Sequence, residues 1–306
     1  MFRLPATYNL FVVQVDKDAI AKWILSFQVT PNDESELSNG QFYGFCGSRS
    51  SQYPSEQKGF SFNHSHLAST YCALAILKVV GFSLPAINKQ LISSTLGNLQ
   101  NDNGSFVPIH IGGETDLRFT FCSVAICSLL GDWSGINRDK AKNFIVECQS
   151  YDGGFGMSPG LESHGGGTYC AIASLRLMGY LEDEIISKGA SSTIINIPLL
   201  LEWCLQRQAS DGGFQGRPNK ASDTCYAFWI GSVLRILGAA KMMDETCLVR
   251  FLLTCQSKYG GFSKFAGEFP DLYHTYYALS AFALLEEDGL KLLSPQLGIA
   301  YAANPW

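Results

Sequence analysis

Asp223 and Cys225 form an Asp-x-Cys pair, and His274 lies 49 residues beyond Cys225. A carboxylate oxygen, a thiolate sulfur and an imidazole nitrogen are each good zinc ligands. Three protein ligands leave a fourth position open for a substrate, whereas a structural site is closed by four. Taken singly, the same residues read as a helix cap, a core thiol and a satisfied histidine. Their shared phase in a repeat, set out below, is what groups them.

Just upstream runs Gln215-Gly-Arg-Pro-Asn-Lys-Ala-Ser-Asp223, with Arg217 and Lys220 as a positive pair in an acidic chain. With His164 and the hydroxyl of Tyr226 they are suited to a polyanion such as diphosphate. A solvated basic loop is the plainer alternative. Phe121, Tyr169, Phe228 and Trp229 fall in apolar helical stretches. They suit the wall of an apolar tube and suit plain core packing equally well.

An internal repeat must position these groups. Gln, four residues, Gly or Ser, then Phe recurs as Gln100…Phe106, Gln149…Phe155, Gln208…Phe214 and Gln256…Phe262, with Phe-to-Phe steps of 49, 59 and 48. A period near 50 signals a repeat architecture. In each unit an amphipathic helix precedes the Gln, and the glycine pair is expected to end it. A strongly apolar helix follows, expected at 67–80, 117–130, 167–178, 224–237 and 272–285. The apolar helices should form an inner layer and the partly polar ones an outer layer. About five such hairpins favour closure into an all-α, α/α barrel; an open solenoid of the same hairpins is the alternative. The whole chain, 1–306, reads as one such domain, with repeats over about 16–290. Residues 30–62, rich in Ser, Gly, Asn, Pro and Gln, read as a long inserted loop. The tail beyond Pro295 is weakly patterned.

Five residues before a landmark in each inner helix stand His66, Asp116, His164, Asp223 and Asp271. In a barrel they ring one end of the tube. N-capping accounts for Asp116 and Asp271. Histidine is a poor cap, so His66 and His164 ask for another role.

Composition narrows the function classes. The chain has 306 residues, 46% hydrophobic and 16% charged, which argues against disorder. Its 22 Lys and Arg against 27 Asp and Glu give a net charge of −5, with no global attraction to nucleic acid or anionic lipid. No run approaches the ~18 apolar residues of a membrane span, and the N-terminus lacks a convincing signal-peptide pattern. Most of the ten cysteines (Cys72, Cys122, Cys127, Cys170, Cys204 and Cys255 among them) sit in apolar helical runs. They read as reduced, buried thiols of a cytoplasmic protein.

Leu161-Glu-Ser-His-Gly-Gly-Gly-Thr-Tyr-Cys170, Gly216-Arg-Pro-Asn-Lys220 and Asp223-Thr-Cys-Tyr-Ala-Phe-Trp229 resemble the β subunits of protein prenyltransferases. Asp116-Leu-Arg-Phe-Thr-Phe-Cys122 and Asp132-Trp-Ser-Gly135 are similar to the geranylgeranyl-transferring type I branch. The resemblance implies an α/α barrel wrapped by a helical α subunit as its heterodimeric partner. It implies transfer of geranylgeranyl from its diphosphate to the cysteine of a C-terminal C-a-a-X sequence, such as those of small GTPases, with X often Leu. Asp223, Cys225 and His274 would then hold zinc, one ion per site. His164, Arg217, Lys220 and Tyr226 would contact the diphosphate. Arg118, His66, Phe121, Tyr169 and Trp229 would line the isoprenoid and peptide pocket. Lys264, ten residues before His274, occupies a place where the farnesyl and Rab-directed branches resemble one another in carrying a magnesium-binding Asp. Its ammonium is expected to replace that metal, so no magnesium is required. Trp23, Ile24 and Trp203 are expected on the outer surface, against the α subunit.

Two departures accompany the likeness. The first inner helix of the family is missing or reduced to Met1–Val15, and Tyr273 looks more like the farnesyl-transferring branch. The competing readings are a farnesyl or Rab-directed transferase β subunit, an inactive chain that only binds partners, and a triterpene-cyclase-like toroid. The last has no use for Asp223, Cys225 and His274 and needs an acidic protonating motif that is not evident.

Overall fold

The computed structural model describes residues 15–29, 43–48, 65–189 and 191–300, with only the backbone at Pro85. The expectation for Met1–Val15, apart from Val15 itself, and most of the 30–62 loop lie outside these residues. Among the described residues ten α-helices alternate between two layers. The outer helices are α1 (Lys17–Leu25), α3 (Lys89–Leu99), α5 (Arg138–Glu147), α7 (Ile197–Leu205) and α9 (Glu245–Thr254). The inner ones are α2 (Leu67–Val79), α4 (Leu117–Leu130), α6 (Gly165–Leu177), α8 (Thr224–Leu237) and α10 (Leu272–Leu284). Each expected inner helix is present, within two residues at each end.

The layers follow from burial. In α4, eleven side chains are buried, from Leu117 to Leu129 on every side of the helix. In α5 only Ala141, Phe144 and Ile145 are, one stripe facing inward. The inner helices pack in chain order, α2 on α4, α4 on α6, α6 on α8 and α8 on α10. Between α10 and α2 stands a C-terminal hairpin of β3 (Leu293–Ser294) and β4 (Ile299–Ala300), with β3 on α10 and β4 on α2. Residues 296–300 of the weakly patterned tail are therefore an ordered part of the ring.

The repeated Gln has a definite task. The Gln149 amide donates to the Asn196 carbonyl (3.2 Å) and accepts from the Asn196 N–H (2.9 Å). Gln100 does the same with Asn137, and Gln208 with Asp244. Each partner is the N-cap of the next outer helix. One side chain thus clamps consecutive repeats through a backbone pair.

The glycine pair does not end the outer helix, contrary to the sequence expectation. Helix α5 stops at Glu147, before the Gln. Gln149 and Phe155 instead form an isolated bridge across the turn, as do their counterparts. The first glycine permits close approach to the next outer helix. A Cβ on Gly153 would lie 2.3 Å from the Leu199 carbonyl carbon, and one on Gly212 2.3 Å from the Cys247 oxygen. The first repeat obeys the same plan with a long insertion, since Gln28 of β1 (Gln28–Val29) pairs with Phe45 of β2 (Gly44–Phe45).

In three of the five repeats a threonine hydroxyl, four residues after the helix cap, closes the turn from the other side. Thr70, Thr168 and Thr275 accept from the N–H groups of Phe45, Phe155 and Phe262 at 2.9–3.0 Å.

Two expectations about surface and core change. All ten cysteines are free thiols, but Cys72 is exposed and Cys247 half-buried. Cys72 lies on α2, at the end of the inner series, where one flank lacks a helical neighbour among the described residues. Of the three expected surface residues only Trp23 is exposed; Ile24 and Trp203 are buried, Trp203 against Gly154.

The clamp predicts a contrast between equivalent glycines. At Gly260 a Cβ would meet nothing within 4 Å, although φ is +100°. Gly260→Ala should therefore cost only the left-handed backbone penalty, about 1–2 kcal/mol. Gly212→Ala adds a backbone clash and should cost about 2 kcal/mol more. Denaturant unfolding of the two variants measures the difference, and equal losses would contradict the close-approach account.

Candidate metal centre and active site

The five ring residues are all helix N-caps. Asp116, Asp223 and Asp271 accept from the N–H groups of Arg118, Cys225 and His274 at 2.8–2.9 Å. His66 and His164 do the same through Nδ1, from Ala68 at 3.1 Å and Gly166 at 3.0 Å. The expectation that histidine would not cap is overturned. An unprotonated Nδ1 is an acceptor at nearly the place of an aspartate oxygen. Burial lowers the pKa of both histidines, and at His164 the nearby Arg217 lowers it further, which keeps that nitrogen free.

The tautomer has a consequence. With Nδ1 accepting from Gly166, the ring proton of His164 sits on Nε2, 3.1 Å from the Tyr226 hydroxyl. Nε2–H then donates to the Tyr226 oxygen, and the phenolic hydrogen is left to donate elsewhere. Burial, then Cys225 and Asp223, push the Tyr226 phenol up to about 12, so it remains a donor.

Asp223, Cys225 and His274 converge. Their ligand atoms lie within 4.8 Å of one another. Helix α8 contributes its cap and second residue, and α10 its third. His274 Nδ1 lies 2.6 Å from Asp271 Oδ2, so that Nδ1–H donates and the lone pair of Nε2 faces the centre. Nε2 is buried with no hydrogen-bond partner, 3.3 Å from Asp223 Oδ1. Two acceptor atoms that close, with no hydrogen bond joining them, suit a cation. The donor set of one carboxylate, one thiol and one imidazole fits zinc, and the carboxylate behind His274 is its usual support. Burial foremost, with Asp223 beside it, raises the Cys225 thiol pKa, while Tyr273 and Trp229 donate toward the sulfur.

Positive groups surround this centre unevenly. Lys264 Nζ is 3.8 Å from Asp223 Oδ2, and its loop is fixed because Thr224 donates N–H and hydroxyl to the Lys264 carbonyl at 2.9 and 3.0 Å. Arg217 is paired with Glu162 at 3.0 Å, and Lys220 is exposed on the same loop. Arg118 is held by Asp116 at 2.6 Å and Glu114 at 2.7 Å. Below lies an apolar cavity of about 480 Å³ whose walls include Phe121, Tyr169 and Trp229. His66 and Arg118 are not on its wall; His66 caps α2 and Arg118 stands in the first turn of α4. Sequence reasoning gave Asp271 only a capping role and missed its hold on His274. The i, i+3 spacing of a carboxylate and a candidate ligand was the available signal.

An α/α toroid with one carboxylate, one thiol and one imidazole clustered near an apolar cavity is a defined class. The Prenyltransferase alpha-alpha toroid domain family matches residues 4–299, and the chain belongs to it. It is 61% identical over 293 residues to the "Geranylgeranyl transferase type-1 subunit beta" of Arabidopsis thaliana, covering 95% of this chain and 78% of that one. To the Dictyostelium discoideum protein of the same name it is 33% identical, covering 95% and 83%. Among solved structures it is similar to Candida albicans protein geranylgeranyltransferase-I complexed with GGPP, with TM-score 0.79 and 27% identity over 93% of this chain and 82% of that one. No helix of the described residues is long and apolar enough to cross a membrane.

The His164–Tyr226 pair is testable with inorganic diphosphate as a probe. Tyr226→Phe should weaken binding by about tenfold, the worth of one hydrogen bond to a charged group. His164→Asn, which keeps a capping acceptor, should weaken it similarly, and the double variant should lose little more. Strictly multiplicative losses in this double-mutant cycle would show that the residues do not act as a unit.

Proposed function

We propose that this chain is the catalytic β subunit of a zinc-dependent protein geranylgeranyltransferase of type I. The observation that carries the reading is the Asp223–Cys225–His274 triangle beside an aromatic cavity, two of whose wall residues, Trp229 and Tyr273, also approach the Cys225 sulfur. The similarity to type-1 β subunits across most of the chain supports the donor and the reaction. The substrates are geranylgeranyl diphosphate and a protein ending in a C-a-a-X sequence, and the partner is a helical α subunit.

Asp223, Cys225 and His274 hold the zinc, with Asp271 fixing the His274 ring. When bound, the ion lowers the pKa of an incoming cysteine thiol, which near 8.5 is otherwise mostly protonated at neutral pH. In the transfer a carbon–sulfur bond forms at carbon 1 of the isoprenoid and the carbon–oxygen bond to diphosphate breaks. Negative charge grows on the departing diphosphate. Arg217, Lys220, Lys264 and the free Tyr226 hydroxyl receive it, so stabilisation acts where charge develops. His164 keeps Tyr226 aimed. The aromatic cavity takes the hydrocarbon and excludes water.

Lys264 supplies directly the charge that a metal would otherwise bring to the diphosphate. A unit charge pair at ~4 Å is worth about 4 kcal/mol at an effective dielectric near 20. Transfer therefore needs zinc and no magnesium.

The heterodimer with an α subunit should contain about one zinc per site, and Cys225→Ala or His274→Ala should lose both the metal and transfer. Full transfer by a zinc-free double variant would overturn the assignment. In single-turnover transfer with zinc constant, wild type should be indifferent to millimolar magnesium and Lys264→Asp should become dependent on it. Strong magnesium stimulation of wild type would remove Lys264 from this role.

A further inference from the structure

Two of the turns carry a carboxylate that reaches forward along the chain. Asp152 and Asp211 each stand midway between the clamp Gln and the Phe of their turn. Asp152 Oδ1 accepts from the Gly154 N–H at 3.2 Å and from the Ser163 hydroxyl at 2.5 Å. Asp211 Oδ1 accepts from the Gly213 N–H at 3.0 Å and from the Ser222 hydroxyl at 2.8 Å. In both turns the serine lies 11 residues beyond the carboxylate and is buried. The residue after it is His164 in one turn and Asp223 in the other.

This latch accounts for the second glycine of the pair. A Cβ on Gly154 would lie 2.7 Å from Ser163 Cβ, and one on Gly213 2.7 Å from Ser222 Cβ. The turn before α4 has Ser105 at that place, and the Ser105 hydroxyl donates to Asn103 Oδ1 at 2.7 Å, within the turn itself. The turn before α10 has Tyr259 in place of the carboxylate and Pro270 in place of the serine. Of the ring residues that follow these four turns, the latch therefore stands behind His164 and Asp223, the two assigned to the diphosphate and the metal, and not behind Asp116 or Asp271.

The latch acts where the helix does not. His164 and Asp223 are N-caps with extended backbone, φ −137° and −142°, so the helical conformation begins after them. On the side away from the helix each has one backbone bond, from the His164 N–H to the Phe155 carbonyl at 2.9 Å and from the Asp223 N–H to the Phe214 carbonyl at 3.1 Å. The bond from serine to carboxylate is a second attachment on that side. Two attachments fix the direction in which the capping side chain leaves the backbone, whereas one leaves a hinge.

We propose that Asp152 and Asp211 are positioning residues: Asp152, through Ser163, sets His164 for the diphosphate, and Asp211, through Ser222, sets Asp223 for the metal. This rests on the reading of the chain as a prenyltransferase β subunit. The Asp211 latch has a lesser effect on the diphosphate as well, because Ser222 pairs with Gln215 across the base of the loop that carries Arg217 and Lys220.

The test uses the heterodimer and reads three quantities separately: zinc affinity by chelator competition, affinity for inorganic diphosphate, and stability to denaturant. Ser163→Ala and Ser222→Ala remove the latch and leave the bond from carboxylate to glycine N–H that shapes each turn. Ser222→Ala should weaken zinc binding about tenfold, as loss of support behind a metal ligand does, and diphosphate binding by a smaller factor. Ser163→Ala should weaken diphosphate binding about fivefold, the worth of one hydrogen bond, and leave zinc binding unchanged. Asp211→Ala should match Ser222→Ala, and the two together should lose little more than either. If one of these does not assemble, the other decides. Asp211→Asn keeps an acceptor oxygen, as Asn103 does, and should retain most of the zinc affinity. Falls in both affinities that merely follow stability, or no change in either, overturn the positioning role. A wild-type heterodimer that holds no zinc or binds no diphosphate would instead count against the proposed function, and the latch would lose its purpose with it.

Discussion

Every inner helix begins with N–H groups that have no partner within the helix, and this requirement organises the active end of the molecule. Each helix solves it with an acceptor side chain at the same repeat position. Because the repeat is regular, His66, Asp116, His164, Asp223 and Asp271 are brought to one rim of the tube. Chemistry is then built on residues that are already fixed. Asp223 caps α8 with the same oxygen that faces His274 Nε2. Asp271 caps α10 with one oxygen and holds the His274 ring with the other. His164 caps with Nδ1 and points its remaining proton at Tyr226. A ligand set supported in this way loses little freedom on binding a metal, because folding has already restricted it.

The outer layer keeps the rim in register. The Gln clamp ties the turn beneath one repeat to the cap of the next outer helix, and the threonine bond ties the same turn to its inner helix. The repeat separated by 59 residues, longer than its neighbours of 49 and 48, keeps the same clamp. Insertions are absorbed outside the clamped contacts, so the spacing of the functional side chains does not change.

Much of this was legible in the sequence. The Gln and Phe spacing gave the repeat, the apolar runs gave the inner helices, and shared phase grouped Asp223, Cys225 and His274. What was not legible depends on partners distant in the chain. Gln149 meets Asn196, 47 residues away, through backbone atoms that have no sequence signature. Leu297 and Gly298, just beyond Pro295, are held by two phenols on helices at opposite ends of the ring, Tyr71 being 226 residues from Leu297. The capping by His66 and His164 depends on a neutral ring, which burial favours and residue type does not disclose. Trp203 read as surface because its covering residue, Gly154, belongs to the preceding turn.

The central claim is that Asp223, Cys225 and His274 form a three-ligand metal centre whose open position receives a substrate thiol. Cobalt substituted for zinc in the heterodimer reports this directly through its thiolate charge-transfer absorption. The metal-loaded protein should show a band for one thiolate, from Cys225, that grows when a peptide ending in C-a-a-X is added and is unaffected by the same peptide with serine in place of cysteine. A band that is absent, or that does not respond to the cysteine peptide, would contradict the account.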